Sequence, residues 1–414
     1  MADLRLAKIQ PVAELVQRYL DQIRDEHARV SDGALASYIP ELAGVEPTGF
    51  GLSLSLSDGF VYESGDATVE FTIQSISKPF TYAHALDLIG QDAVDTRIGV
   101  EPSGEAFNEI SVDAAKKTPK NPMINAGAIT AVSLVPGATP DERFARIREF
   151  YSAFAGRTLD IDHDVYASEK ETGSRNRAIA YMLQSFGALD GVPDEVMDVY
   201  FRQCSFNVTS TDLARMAATL ACGGVNPMTG RRVTDTVVVQ RTLAVMVTCG
   251  MYDAAGDWVS AVGMPAKSGV GGGIVAVLPG QLGIGVYSPL LDDKGNSVRG
   301  VRVCRSLSQR LGLHFLTVTR ESRSTIRTIS DACDRVRVYE LHGDLLFAGT
   351  EQVLRTVERE KDDFDVASST SHGSTPSTTP SCGLRTGTTS TRWCSGRSTT
   401  RSRLRKFSGL RFRP

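Results

Sequence analysis

Ser75-Ile76-Ser77-Lys78 stands at the mouth of a predicted helix whose first turn accepts Pro79. A serine hydroxyl attacks a carbonyl only once a base takes its proton. Lysine can be that base when burial or neighbouring cations depress its pKa. A spacing of three puts both side chains on one helical face. Taken alone, the pair reads better as a capping serine beside a surface lysine, because ten lysines give about one such match by accident. A second motif, Lys267-Ser268-Gly269-Val270-Gly271-Gly272-Gly273, precedes a predicted strand. Its glycines leave backbone N–H groups unobstructed, which suits an oxyanion hole worth about 3–4 kcal/mol per donor. S-x-x-K followed by a near match to K-T-G, in this order and on these element types, indicates serine acyl transfer.

The elements that must position these groups can be read from periodicity. Val12, Leu15, Val16, Tyr19 and Ile23 fall on one face of an opening helix that should pack on a sheet. Residues 50–56 alternate, turn at Ser57-Asp58-Gly59 and return through Phe60-Val61-Tyr62, a hairpin, and residues 68–73 offer a third strand. From about 75 to 250 the pattern is helical. Pro140-Asp141 opens one segment, and Ser210-Thr211-Asp212 caps another. Strands are expected again at Trp258 to Val262, Gly273 to Leu278 and Leu282 to Tyr287, with a closing helix over 298–311. The expected fold class is α/β of the α+β type: a mostly antiparallel sheet with an inserted helical subdomain and a cleft between them, spanning residues 1–314.

Residues 315–335 read as a linker. A second module starts at 336 with a strand, then Leu345-Leu346-Phe347, a helix from Thr350 to Lys361 and a strand beginning between Asp363 and Ala367. From 368 to 414 the composition collapses into Ser, Thr, Gly, Pro and Arg, a basic low-complexity tail. Shifting the frame by one base across GC-rich codons for 367–380 permits Ile-Val-Asp-Val-Ser-Arg-Val-Asp-Ser-Ile-Asn-Asp-Ala, a buried strand and a helix start. The tail is read as out of frame, with an ordinary basic disordered tail as the alternative. Hydrophobic residues at 41% and charged residues at 22% fit a packed globular body. No apolar run reaches the ~18 residues of a membrane span, and residues 1–10 lack a signal-peptide pattern; a cytoplasmic protein without membrane association is expected. The seven cysteines are never closer than 12 residues, so neither a metal site nor a disulfide framework is suggested. Nine Lys/Arg and no acid follow Asp365, which takes residues 1–365 from the chain's −3 to −12 and argues against nucleic acid.

Seven blocks in one order carry a family resemblance: Ser37-Tyr38-Ile39-Pro40-Glu41-Leu42, Gln74-Ser75-Ile76-Ser77-Lys78, Asn121 to Ala128, Ser168-Glu169, Arg175-Asn176, Gly250-Met251-Tyr252 and Lys267-Ser268-Gly269-Val270. Over roughly residues 10–312 the chain resembles the bacterial and mitochondrial-type glutaminases. The resemblance implies a β-lactamase-like fold and hydrolysis of L-glutamine to L-glutamate and ammonia. It implies Ser75 as nucleophile, Lys78 as its base, and Tyr252 relaying a proton to the leaving ammonia. The N–H groups of Ser75 and Val270 would hold the oxyanion, Glu169 the substrate's α-ammonium, and Asn125, Asn176 and Tyr200 its α-carboxylate. Tyr38 and Gln74 would line the site. No metal or organic cofactor is implied, and a homodimer or homotetramer is. The pattern after 336 resembles a STAS domain lacking its later half. Two alternatives stay open: a penicillin-recognising enzyme of the same chemistry, and a catalytically dead glutamine sensor. In residue types, a zwitterionic amino acid calls for one carboxylate and several neutral donors, and a second buried lysine is not required.

Overall fold

Alternating leucine and serine followed by Asp58-Gly59 folds as the expected hairpin, and the strands after the K-S-G motif join it edge to edge. In the computed structural model, β1 (Gly51–Leu56) and β2 (Val61–Gly65) are followed by the two-residue strands β3 (Phe71–Thr72) and β4 (Asn207–Val208). Then come β5 (Ala266–Ser268), β6 (Gly273–Leu278) and β7 (Leu282–Tyr287). The structure describes residues 12–103, 112–113, 115–317, 326–333, 336–341, 347–360, 366–371 and 391–394. Among these, α1 (Val12–Ala28) and α2 (Pro40–Ala43) precede the hairpin. The helices α3 (Ser77–Ile89), α4 (Gln91–Asp95), α5 (Asn125–Ser133), α6 (Pro140–Ala155), α7 (His163–Thr172), α8 (Ser174–Ser185), α9 (Pro193–Cys204), α10 (Ser210–Ala221), α11 (Thr236–Cys249) and α12 (Ala255–Ala261) lie between β3 and β5. After β7 comes α13 (Val298–Leu311).

The main sheet runs β2-β1-β7-β6-β5, and every pairing in it is antiparallel. Strands β1, β6 and β7 are buried at every position, because helices cover both faces. On one face α10 lies close against β7: a Cβ on Gly285 would sit 1.9 Å from the Ser210 carbonyl oxygen, so only glycine permits that spacing. The same face carries Ser53, whose hydroxyl meets that of Ser210 at 2.9 Å. On the other face Ile274 of β6 touches Gly300 of α13. At the β2 edge, Asp21 of α1 accepts a hydrogen bond from Ser64, so the opening helix does pack on the sheet. The α10 cap is Thr209, one residue before the expected serine. Its side chain accepts from Asp212 N–H while Asp212 returns a bond to the Thr209 N–H, a reciprocal capping box.

Two expected strands behave differently. Trp258 to Val262 is not a strand, because it falls in α12 and the residue that caps it. The buried pair Trp258 and Val262 is spaced by four, the helical period that the β-branched composition concealed, and the Trp258 indole donates to the Met264 carbonyl at 2.7 Å. The third strand, β3, leaves the main sheet and pairs with β4 across more than 130 residues of chain.

The helical layer buries one ionisable group without a partner. His84 of α3 stacks on Phe150, ring centroids 4.2 Å apart, and neither ring nitrogen finds a hydrogen-bond partner among the described residues. Burial pushes its pKa down to about 4, helped by Arg146. A depressed imidazole costs nothing above its unfolded pKa near 6.5 and destabilises as pH falls toward the folded value, since only the unfolded chain takes up the proton. Between pH 6.5 and about 4, His84→Phe is therefore expected to flatten the fall of Tm with pH. Equal slopes for both proteins in thermal unfolding across that range would refute the assignment.

By its contacts the chain divides into residues 17–319 and a second unit of residues 1–16 with 320–414. In the second unit β8 (Ile326–Cys333), β9 (Val336–Leu341), α14 (Phe347–Arg359), β10 (Val366–Ser371) and β11 (Thr391–Cys394) form a sheet in the order β11-β10-β9-β8. Strands β9 and β10 are parallel, joined across α14. The other two pairings are antiparallel. Tyr339, Leu341 and Val353 make its core. Strand β8 falls inside the stretch expected as a linker over 315–335: Ile326 packs against the core of this unit, while Thr328, Ile329, Ser330 and Asp331 are exposed at the sheet edge. The module boundary at 367 falls inside β10. Leu345, Leu346, Lys361 and Asp363 lie outside the described residues, as does most of 368–414.

Candidate active site

Ser75 sits in a single 3-10 turn, Gln74–Ile76, that runs directly into α3. The turn is held from behind by Ile73 N–H donating to the Phe206 carbonyl at 2.8 Å. In front of it lies the K-S-G turn. A Cβ on Gly269 would lie 3.0 Å from the Ile73 carbonyl oxygen and one on Gly271 2.5 Å from that of Thr72. The glycines thus let backbone meet backbone beside Ser75. Both Gln74 (φ 48°) and Tyr252 (φ 52°) hold the left-handed conformation.

Lys78 follows on the first turn of α3 and is 0% exposed. Its Nζ donates to Asn125 Oδ1 at 2.7 Å and to the Met123 carbonyl at 3.2 Å. Two acceptors satisfy the two N–H bonds of a neutral amine and leave its lone pair unengaged. Burial lowers the pKa to about 8, so the free base is accessible near neutral pH.

Two further candidate positions, Tyr38 and Gln74, meet at Glu169 of α7, which is buried. Tyr38 lies 48% exposed, yet its hydroxyl turns inward, donating to Glu169 at 2.8 Å and to Gln74 Oε1 at 3.1 Å. Burial raises the Glu169 pKa, hydrogen bonds from Tyr38 and Gln74 oppose that, and Glu41 adds to it. None of these groups is a cation. On the other side, Asn125 Nδ2 donates to Asn176 Oδ1 at 3.0 Å, so Lys78, Asn125 and Asn176 form one chain. Tyr200 of α9 is buried, and its pKa is raised by burial and then by Cys204 and Glu169 beside it. This places it against the site as well as in the core.

The Tyr252 ring is buried. Burial raises its pKa while a hydrogen bond with Ser75 works the other way, so the phenol stays protonated beside the serine. A Cβ on Gly295 would lie 3.7 Å from that ring and 3.9 Å from the Val270 side chain, so Val270 flanks it. A second lysine, which residue types did not require, is nonetheless buried here. Lys267 Nζ lies 3.9 Å from the Tyr252 ring centroid and donates to the Ser268 carbonyl at 2.6 Å. Burial, then Lys78, holds its pKa well below the usual lysine range. The first letter of K-S-G was the signal for it. Cys204 has no motif to mark it. Its thiol is raised to about 12 by burial and Glu169. The Ser268 hydroxyl is buried and meets no partner among the described residues. A cavity of 680 Å³ adjoins Tyr252 and Met123 but is not lined by Ser75, Lys78 or Glu169.

A family model described as Glutaminase matches residues 33–316. The Glutaminase of Microcystis aeruginosa is 50% identical over 307 residues, 74% of this chain and 91% of its own. That of Corynebacterium glutamicum is 44% identical over 349 residues, 84% of this chain and 83% of its own. Glutaminase 1 of Bradyrhizobium diazoefficiens is 47% identical over 358 residues, 82% of this chain but only 58% of its own length. Among solved structures, Mglu in its tris and glutamate form superposes with a TM-score of 0.72 at 46% identity, covering 82% of this chain and 75% of that one. A probable glutaminase from Bacillus subtilis complexed with 6-diazo-5-oxo-L-norleucine gives 0.66 at 35%, covering 76% and 99%. Fold and relatives together define an amidohydrolase. The chain belongs to the glutaminase family, and it hydrolyses L-glutamine to L-glutamate.

Proposed function

We propose that this hydrolysis runs through an acyl-enzyme on Ser75. Lys78 takes the hydroxyl proton as Oγ attacks the side-chain amide carbon of glutamine, and the N–H groups of Ser75 and Val270 receive the oxyanion. Tyr252 delivers a proton to the amide nitrogen as the C–N bond breaks, because ammonia leaves poorly without one. Water then attacks the ester and releases glutamate. The observation that carries this reading is the state of Lys78: fully buried, lowered to about 8, and with two acceptors for two N–H bonds.

The substrate's zwitterion is divided between Glu169, for the α-ammonium, and Asn125, Asn176 and Tyr200, for the α-carboxylate, with Tyr38 and Gln74 lining the site. A buried carboxylate whose neighbours are a hydroxyl, an amide and a second acid is completed by an incoming cation. Glu169→Gln is therefore expected to raise KM for glutamine by roughly 10–100-fold with little change in kcat, the loss of one charged pair. Steady-state kinetics checks it: an unchanged KM assigns the ammonium to another group.

Several broader readings go with this one. Helices α3–α12, emerging between the strands of the main sheet, form the inserted helical subdomain of a β-lactamase-like fold over residues 1–314. The second unit is read as holding a partial STAS-like module over residues 336–367. Its support is the parallel β9-α14-β10 crossover. No described helix is long and apolar enough to cross a membrane. The protein is read as a cytoplasmic homodimer or homotetramer, whose mass light scattering measures. The tail beyond 368 is an out-of-frame segment, and genomic DNA read in both frames decides it.

A further inference from the structure

Arg299 is the second residue of α13, the end of a helix where its dipole disfavours a cation. It is also buried, at 3% exposure, and burial alone lowers its pKa. Such a position is unfavourable unless every N–H is satisfied. All of its hydrogen bonds go to main-chain carbonyls. Nε donates to Val30 at 2.7 Å, Nη1 to Thr48 at 3.1 Å and Gly49 at 3.3 Å, and Nη2 to Pro47 at 3.1 Å. The guanidinium also lies 5.8 Å from the Phe50 ring centroid.

These carbonyls belong to the two ends of one segment. Between them the chain makes a closed loop held along its length. Ala34 exchanges backbone hydrogen bonds with Leu291. Tyr38 reaches Glu169 and Gln74, Glu41 accepts from Ser168 at 2.8 Å, and Ile39 and Leu42 pack with Val165 and Val270. The tip therefore rests on the substrate side of the site, while one planar fork ties both ends of the base. A lysine, with its donors on one nitrogen, cannot span carbonyls spread over both ends.

We propose that Arg299 is a positioning residue for glutamine binding: by tying Val30 to the Pro47–Gly49 stretch it holds Tyr38 against Glu169 at the ammonium end of the substrate. The inference rests on the substrate roles given above to Glu169 and Tyr38, and deepens them. It adds a residue of the closing helix that touches neither substrate nor nucleophile.

The test compares wild type, Arg299→Gln, Arg299→Lys and Tyr38→Phe in the full chain, by hydrogen exchange over residues 31–46 and by steady-state kinetics with glutamine. Arg299→Gln is expected to speed exchange in that segment and to raise KM about tenfold, with kcat within about twofold. Added to Tyr38→Phe, it is expected to raise KM by less than it does in wild type. Unchanged exchange over 31–46, or kcat falling with KM constant, overturns the proposal. A wild-type KM in Tyr38→Phe overturns the role of Tyr38 rather than the tie itself, because exchange reports the tie alone. If Arg299→Gln does not accumulate as folded protein, Arg299→Lys, which keeps the charge but loses the fork, carries the same test.

Discussion

Alanine at position 75 is expected to lower kcat/KM for glutamate production from glutamine by roughly 10⁴-fold or more, the scale on which removing a covalent nucleophile acts. The side chain is small and only partly buried, and the 3-10 turn around it is fixed by backbone contacts. Thermal unfolding should therefore stay close to wild type, which separates loss of chemistry from loss of fold. Coupled detection of glutamate from glutamine and from asparagine, on both proteins side by side, gives the number. Normal turnover by the variant, or a glutamine-like electrophile found by mass spectrometry on another residue, removes Ser75 from its role.

Lys78 should set the pH dependence. With its pKa lowered to about 8 by burial, the amine is protonated below that value and cannot accept the serine proton. The rate kcat/KM should thus rise about tenfold per pH unit up to about 8 and level off above it. Tyr252, as the proton donor, must stay protonated, and its pKa is raised by burial. No falling limb is expected from it below about pH 10. Lys78→Met should lose roughly 10³-fold and, with the base gone, lose that rising limb as well. A wild-type rate that is flat between pH 6 and 9, or a limb that survives in Lys78→Met, places the base elsewhere.

Much of this arrangement could be read from residue order, and the exceptions share a cause. Ser75 and Lys78 were legible because they are three apart on one helix, and the K-S-G turn because its glycines have a single physical use. The hairpin and the helices over 140–155 and 298–311 were legible from local period. Tyr38, Asn125, Glu169 and Asn176 were legible only through the run of motifs, since nothing in Glu169-Lys170-Glu171 marks one acid as buried. What stayed hidden depends on partners distant in sequence. Strand β3 finds β4 from the far side of the helices, β8 carries its two isoleucines three apart rather than in strand alternation, and α12 looks like a strand until Trp258 is seen to be buried. Lys267 was singled out as part of a motif, yet its place over the Tyr252 ring depends on how β5 meets the turn after α11. Arg299 had no signal, because an arginine in an amphipathic helix gives no hint that its targets are carbonyls some 250 residues earlier.

Three non-glycine residues in the described chain adopt positive φ, and two of them, Gln74 and Tyr252, flank Ser75. Each conformation costs on the order of 1–2 kcal/mol, and neither neighbour alone could enforce it. The shape around Ser75 is accordingly a property of the whole scaffold, maintained by folding energy gathered far from the reaction. Transplanting the handful of catalytic side chains onto a foreign framework would let those two backbones slide back downhill. Selection for heat resistance acting on these positions would drift toward relaxed, inactive variants.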